Sequence, residues 1–320
     1  MREILDRLHK FFATHYLFVA SRIWTHLPAS LCEVSLVAPY GYHLHSLVRR
    51  FAERRQNHST FFFRNRPELE LMSRLAKRAS HGSSMEIAVL ACSKGAEVYS
   101  IVAKIRAARP DLKLTVHAID ISQEILEFAK QGVYSLQDRD VTKAADSQGL
   151  ANAAKLTWNT HRDQTKASLF ERMSQHEMDA MFCRDGDQVR IKPWLKEGIT
   201  WHCADAGDPE LASILGRQDM VIANRFLCHM DPTPAKRILR NLGRVVRPGG
   251  YLFVSGVDLD VGTSVALEMK WKPLTELVEE IHEGDPSLRN GWPLQYWAKE
   301  PFQAGRHDAM IRYASVFQIG

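Results

Sequence analysis

The chain is predicted to adopt a mixed α/β fold built on a mostly parallel sheet, on three observations. An apolar run, Glu86-Ile87-Ala88-Val89-Leu90-Ala91, breaks into the small-residue turn Cys92-Ser93-Lys94-Gly95; a helix-like segment follows; and a second apolar run, Leu114 to Ile119, ends in Asp120. This is the anatomy of a nucleoside-binding strand–turn–helix–strand unit. The turn must be small so that a ligand can approach the backbone. A carboxylate at the tip of the second strand is well placed to accept hydrogen bonds from both hydroxyls of a ribose. Taken singly, the turn reads equally as a βα corner and Asp120, with Ser122 behind it, equally as a helix cap. Their combination favours a ligand.

The remaining elements follow in order. Residues 1–80 read as an N-terminal helical domain: Ile4, Leu5, Leu8, Phe11 and Phe12 recur at helical spacing, as do Leu69, Met72 and Leu75. Within it, Phe11 to Trp24 reads as an amphipathic helix, buried on its own domain in preference to resting on a membrane surface or a partner. The Rossmann-like core occupies 81–320, with a helix from Ser122 to Gln131 after the second strand. Residues 135–197 are an insertion the core does not need. Its first part, Gln137 to Asp163, is polar; its second, Met181 to Ile191, reads as two strands joined by an Asp-Gly turn, a small antiparallel β-hairpin. The core resumes with strands at Ile199 to Cys203, Met220 to Ala223 and Tyr251 to Ser255, and a helix from about Pro234 to Val246. Met310 to Ile319 makes a final strand.

At 320 residues, 45% hydrophobic and 25% charged, the chain can bury an ample core in one large or two smaller domains. No run has the length of a membrane span, and Met1-Arg2-Glu3 opens no signal pattern, so a cytoplasmic protein is expected. The five cysteines, Cys32, Cys92, Cys183, Cys203 and Cys228, form no C-x-x-C pair and suggest neither a metal site nor disulfides. The net charge of +5 is modest, although Arg49, Arg50, Arg54, Arg55, Arg64 and Arg66 cluster. That cluster is equally a solvated helix face and a surface for an acidic protein. No aromatic-interleaved basic strand accompanies it, so nucleic acid is not expected as a partner.

Both dinucleotides and S-adenosylmethionine use the predicted unit. The turn has one glycine, Gly95, and lacks the full G-x-G-x-x-G on which a pyrophosphate rests. Glu97, just inside the helix, would repel a diphosphate and suits the ammonium of a methionine moiety. A nicotinamide dehydrogenase is therefore disfavoured.

Four ordered blocks over about residues 58–256 resemble the CheR-type chemotaxis receptor methyltransferases, which esterify glutamate side chains using S-adenosylmethionine. Thr60-Phe61-Phe62-Phe63-Arg64 matches T-x-F-F-R, and Cys92-Ser93-Lys94-Gly95-Ala96-Glu97-Val98-Tyr99-Ser100 is similar to C-S-T-G-E-E-P-Y-S. His117 to Ser122, then Ala129 and Gly132-Val133-Tyr134, resembles D-I-S…A…G-x-Y. Asp219 to Arg225, then Asp231 and Pro248-Gly249-Gly250, resembles F-D-x-I-x-C-R-N…Y-F-D…L-x-P-G-G. The departures are Ala96 for the first glutamate, Val98 for proline, Asn224-Arg225 in swapped order, His229 for tyrosine, and Val254-Ser255-Gly256-Val257-Asp258 for a serine–glutamate signature.

The resemblance implies a class I methyltransferase sheet, mostly parallel with an antiparallel edge strand, and S-adenosylmethionine as cofactor. By matching position, Thr60 and Arg64 would meet the methionine carboxylate and Glu97 its ammonium, beside the turn Ala91, Cys92, Ser93 and Gly95. Asp120 would bind the ribose, Ile121 would lie against adenine, and Asp205, next to Ala206, would accept from the adenine amino group or be a turn residue. Asn224, also a cofactor contact, Arg225 and His229 would serve the reaction, Arg225 through its fork on an acceptor carboxylate and His229 as a base for a non-carboxylate acceptor or else as a packing and hydrogen-bonding residue. The inserted hairpin would dock a protein substrate. Trp271, Trp292, Tyr296, Trp297, Phe302 and Tyr313 are equally the roof of a small-molecule pocket and core packing. Three functions follow: methyl transfer to an exposed protein glutamate, methyl transfer to a small-molecule O- or N-acceptor, or non-catalytic S-adenosylmethionine binding in signalling.

Overall fold

The computed structural model describes residues 60–137, 168–228, 230–285 and 300–320, and parts of 12–51. In chain order its strands are β1 (Ser84–Leu90), β2 (Lys113–Asp120), β3 (Val133–Ser135), β4 (Phe182–Asp185), β5 (Gln188–Ile191), β6 (Ile199–Cys203), β7 (Gln218–Asn224), β8 (Val246–Ser255), β9 (Lys272–Pro273) and β10 (Val316–Gln318). Its helices are α1 (Ala38–Phe51), α2 (Arg66–Lys77), α3 (Ala96–Ala108), α4 (Gln123–Gln131), α5 (Gln175–Met181), α6 (Leu211–Leu215), α7 (Pro232–Val245), α8 (Leu259–Glu268), α9 (Val278–Glu283) and α10 (Ala309–Arg312).

Seven strands form one sheet in the order β6-β2-β1-β7-β8-β10-β9. The first five are parallel, and β10 runs antiparallel to both β8 and β9. This mostly parallel α/β sheet is the predicted class. Strand alternation divides the interior in two: Ile87 and Val89 of β1 face a core with α2, α3 and α4, while Ala88 and Leu90 face α6, α7 and α8. A strand apolar on both faces is the signature of a parallel strand covered on both sides. Because β2 and β7 flank β1, the chain order reverses there, and the carboxyl ends of β1 and β7 open the crevice where such sheets take ligands.

Local chemistry sets the helix starts beside this crevice. Asn65 accepts from the Glu68 amide to cap α2, and Pro67 occupies its first turn. Ser122 caps α4 through the Ile125 amide, and Gly132 closes it in the left-handed conformation. Although α2 falls within the predicted helical domain, its apolar face, Leu69, Leu71, Met72 and Leu75, shares the core of β1 and α3.

The insertion holds the predicted hairpin, β4 and β5, and adds a third strand, β3, from just ahead of it. An aromatic cluster fixes this small sheet to the core. The Phe62 ring lies 5.3 Å from Tyr134, 5.5 Å from Phe170 and 5.2 Å from Phe182. The Tyr134 hydroxyl donates to Lys94 O at 2.7 Å, tying the small sheet to the turn after β1.

Three expectations are corrected. The final strand is only Val316–Gln318, with helix α10 before it, and it lies inside the sheet while the two-residue β9 forms the edge. The cause is Glu300: Arg312 Nε and the Tyr313 hydroxyl both donate to its Oε1 at 2.7 Å, whereas neighbours in a strand would point to opposite faces. The helix predicted at 234–246 is α7, begun by Pro232, and Val246 already opens β8. The amphipathic stretch near the N-terminus is also less buried than expected. Ala20 and Trp24 pack on Leu44 of α1, but Phe12, Tyr16, Val19 and Ile23 are exposed.

Of the aromatic tail, Trp271 packs against Phe317, and Phe302 lies tilted against Tyr313. Ile4, Leu5, Leu8, Phe11, Cys32, most of the Gln137 to Asp163 segment, Trp292, Tyr296 and Trp297 lie outside the described residues, as do the side chains of Arg49, Arg50, Arg54 and Arg55. Among the described residues, no helix is long and apolar enough to cross a membrane.

Candidate active site

The turn after β1 is shaped by its backbone. Ala91 (φ 51°) and Ser93 (φ 50°) adopt left-handed conformations, as does Gly95 (φ 81°) at the start of α3. This path turns the Ser93 amide onto Asp120 Oδ2 at 2.9 Å, and the Ser122 amide donates to Oδ1 at 3.0 Å. Asp120 is 7% exposed, and its two oxygens keep further lone pairs beyond these two bonds. Cys92 is buried, its amide donates to Ile119 O at 2.9 Å, and burial pushes its thiol well above the ordinary range, with the Asp120 and Glu97 charges adding to the effect. It is an inert wall residue.

Beyond β2, Ile121 is 57% exposed, an apolar surface following a buried carboxylate. Asp205, after β6, accepts from the Gly207 amide through Oδ1 at 2.7 Å, an Asx turn, and Ala206 is buried in the core with α7.

At the ends of β1 and β7 the structure brings four predicted residues together. Arg64, Glu97, Asn224 and Arg225 line a cavity of about 40 Å³, joined by Glu68 and Asp285. Thr60 is buried, and its neighbour Phe61 lines the cavity. The Asn224 amide nitrogen donates to Glu68 Oε1 at 2.8 Å and to Glu97 Oε1 at 2.9 Å, so one side chain bridges two acids from α2 and α3. Both acids are raised in pKa. Glu68 reaches about 8, first through burial and then through the Glu97 charge; Glu97 is raised by burial, opposed by Asn224, Arg64 and Arg225. Arg64 is lowered to about 10 by burial and by Arg225, and its guanidinium lies 5.5 Å from the Phe61 ring centre.

Across the cavity, buried Asp285 accepts from Arg172 at 2.8 Å and from Arg225 at 3.1 Å. Arg172 also donates to Arg64 O at 2.6 Å, so the insertion reaches into the wall of the site. Arg225 holds its place through a positive φ of 62° and an amide bond to Ser255 O at 2.8 Å. Gly256 makes this possible: a Cβ there would lie 2.9 Å from the Arg225 Cα. His229 lies outside the described residues.

Glu68 and Asp285 of the cavity, and Arg172 paired to Asp285 behind it, were missed by sequence reasoning. Glu68 carried a legible signal, a carboxylate on the apolar face of a helix next to Leu69 and Met72. Arg172 and Asp285 carried none, because only the fold joins the insertion to the stretch after α9.

Residues 58–185 match the family model described as CheR methyltransferase, SAM binding domain, and residues 174–254 match a methyltransferase domain. The probable biofilm formation methyltransferase WspC of Pseudomonas aeruginosa is 23% identical over 245 residues, 72% of this chain and 48% of that protein. Chemotaxis protein methyltransferase 1 of Vibrio cholerae is 23% identical over 200 residues, 61% of this chain and 62% of that protein. This chain thus spans about half to three-fifths of the length of these two relatives. The N-methyltransferase NodS of Bradyrhizobium japonicum, solved with S-adenosyl-L-homocysteine, is 12% identical with a TM-score of 0.35, over 73% of this chain and 87% of that one. Motif order and family match coincide over residues 58–185, where the chain is similar to the CheR-type S-adenosylmethionine-dependent methyltransferases.

Proposed function

We propose that this chain transfers the methyl group of S-adenosylmethionine to a carboxylate, in the first instance an exposed glutamate of a protein partner, in the cytoplasm. The observation that carries the reading is the cavity at the ends of β1 and β7, where buried and half-buried acids face half-buried guanidiniums. That charge pattern complements a free amino acid, whose ammonium and carboxylate need partners of opposite sign when water is removed. Arg64 would hold the carboxylate and Glu97 the ammonium. Asp120 would accept the ribose hydroxyls, Ile121 would cover one adenine face, and the Asp205–Ala206 turn would border its edge. Thr60 and the Ala91–Gly95 turn would wall the middle.

When bound, S-adenosylmethionine supplies an electrophilic methyl group on a sulfonium. The task of the protein is to align an acceptor oxygen with that carbon and exclude water. A carboxylate acceptor is ionised at neutral pH, so the O–C bond forms as the S–C bond breaks without proton transfer. Support for a carboxylate comes from Asp285, since Arg225 and Arg172 already grip one carboxylate in this cavity. Arg225, with Asn224 beside it, is the residue assigned to orient the acceptor. The likeness to a chemotaxis protein methyltransferase agrees with a protein acceptor.

Calorimetric titration with S-adenosylmethionine and S-adenosylhomocysteine tests the cofactor site. Transfer of a labelled methyl to candidate proteins then tests the acceptor. Base-labile label released as methanol identifies a carboxyl ester. Base-stable label moves the reading to an O- or N-acceptor, and binding without transfer to any acceptor class moves it to a non-catalytic signalling module.

A further inference from the structure

We propose that Glu68 is a second ammonium-binding carboxylate, which together with Glu97 and the Asn224 carbonyl forms a three-acceptor seat for the α-amino group of the cofactor. The inference rests on the cofactor reading above and deepens it, because Glu68 lies outside every block that carries the family resemblance.

The geometry has three parts. Glu68, on the first turn of α2, and Glu97, on the first turn of α3, both accept from the Asn224 amide nitrogen, at 2.8 and 2.9 Å. One nitrogen therefore holds two carboxylates side by side, and both line the cavity. Asn224 Oδ1 is buried and has no hydrogen-bond partner among the described residues, although Asn224 itself lines the cavity. A buried carbonyl left unpaired is costly, and such groups call for an explanation.

An ammonium group answers all three. It offers three N–H donors and no acceptor. Its positive charge relieves the repulsion between two neighbouring carboxylates, and its third donor satisfies the orphaned carbonyl. Without it the site is frustrated, which agrees with the upward pKa shifts of both acids, caused first by burial. The other charged groups facing Glu68 are Arg64, from the loop before α2, and Asp285, after α9. Arg64 can balance only part of the acidic charge, because Arg225, whose cationic charge opposes its own, and Asp285 also act on it. The seat also accounts for the loss of the first glutamate of the family pair: Ala96 stands there, and the second acid comes from another helix.

The test measures the affinity for S-adenosylhomocysteine, and for its analogue lacking the α-amino group, in the full chain, Glu68→Gln and Glu68→Asp, alongside the melting temperature of each ligand-free protein. Gln keeps the shape and an oxygen for the Asn224 donor but removes the charge. Expected is a ten- to hundredfold weaker affinity for S-adenosylhomocysteine in Glu68→Gln, about the worth of one charged hydrogen bond, with partial recovery in Glu68→Asp. The desamino analogue should bind the parent and Glu68→Gln equally. The ligand-free Glu68→Gln protein should melt at or above the parent temperature at pH 8.5, where Glu68 is ionised and its buried charge faces Glu97. A merely structural Glu68 would instead lower the melting point and weaken both ligands alike, and that result overturns the proposal. Equal S-adenosylhomocysteine affinity in parent and Glu68→Gln overturns it as well. Failure of the parent to bind S-adenosylhomocysteine at all overturns the cofactor reading itself, a separate outcome.

Discussion

Asp120 joins the backbone of the site to its proposed ligand, so its removal should be felt twice. In Asp120→Ala the amides of Ser93 and Ser122 lose acceptors at 2.9 and 3.0 Å. A hydrogen bond to a charged group is worth about 1.5–3 kcal/mol, so the two together set a ceiling of about 6 kcal/mol. Both serines are only partly buried, and water replaces much of the lost bonding. A net destabilisation of about 2–3 kcal/mol is the expected result, read from the urea midpoint with an unchanged slope. The second effect is on the ligand: losing a carboxylate that accepts two ribose hydroxyls should weaken S-adenosylhomocysteine about a hundredfold, equivalent to about 2.7 kcal/mol. Asp120→Asn separates the effects. It keeps one oxygen acceptor but turns an NH₂ toward the other amide, so it should recover about half the stability and little of the affinity. Calorimetry supplies the affinities. An Asp120→Ala protein that binds S-adenosylhomocysteine within twofold of the parent would falsify the assignment of this carboxylate to the ribose, and an unchanged urea midpoint would refute the structural half.

Other tests address the rest of the site. Gly256→Ala places a Cβ 2.9 Å from the Arg225 Cα at a residue with φ of 69°, so it should cost about 1–3 kcal/mol and displace Arg225. Its signature is a fall in methyl transfer larger than the fall in cofactor affinity, measured in one preparation. Asp285→Ala leaves the Arg172 and Arg225 guanidiniums without their shared carboxylate and should destabilise by about 3 kcal/mol in urea unfolding. No change there would show that the two arginines rearrange into solvent at little cost. The ligand-free protein should also lose stability as pH rises. Glu68 is raised in the folded state to about 8, so its stabilising contribution is complete below the unfolded carboxylate pKa, near 4.3, and is lost on the way up through 8. Melting temperatures should therefore fall from pH 6 to 8.5, less steeply in Glu68→Gln, and saturating S-adenosylhomocysteine should flatten the slope. A melting temperature that rises over this range in the parent would contradict the assignment.

The sheet was legible because each central strand is a contiguous apolar run and each turn is marked by residues that act locally. Leu90 and Ile119 stop at small or acidic residues, Ser122 caps the following helix, and Pro232 opens α7. Those interactions reach over a few residues, and so does sequence reasoning. The position of Asp120 at a strand tip and the smallness of the Cys92–Gly95 turn are features of this kind, readable before any fold is known. Errors arose where a local pattern competed with a distant partner. The final strand is shortened because Arg312 and Tyr313 are both drawn to the buried Glu300, and nothing in the sequence around 310–319 announces that contact. The helix face at Phe12, Tyr16, Val19 and Ile23 has the periodicity of a buried stripe yet is exposed, whereas Ala20 and Trp24 pack on Leu44.

By itself, then, the sequence determined the central strands, the helices that follow them and the crevice end of the sheet, because period and capping are short-range physics. Only the tertiary structure decided which charges share one cavity. Glu68 from α2, Glu97 from α3, Asn224 from β7 and Asp285 after α9 meet there, and Arg172 from the insertion pairs with Asp285, although they are spread over more than 200 residues of chain. Their ionisation and pairing depend on burial and on separations of about 3 Å, quantities that exist only once the chain has folded.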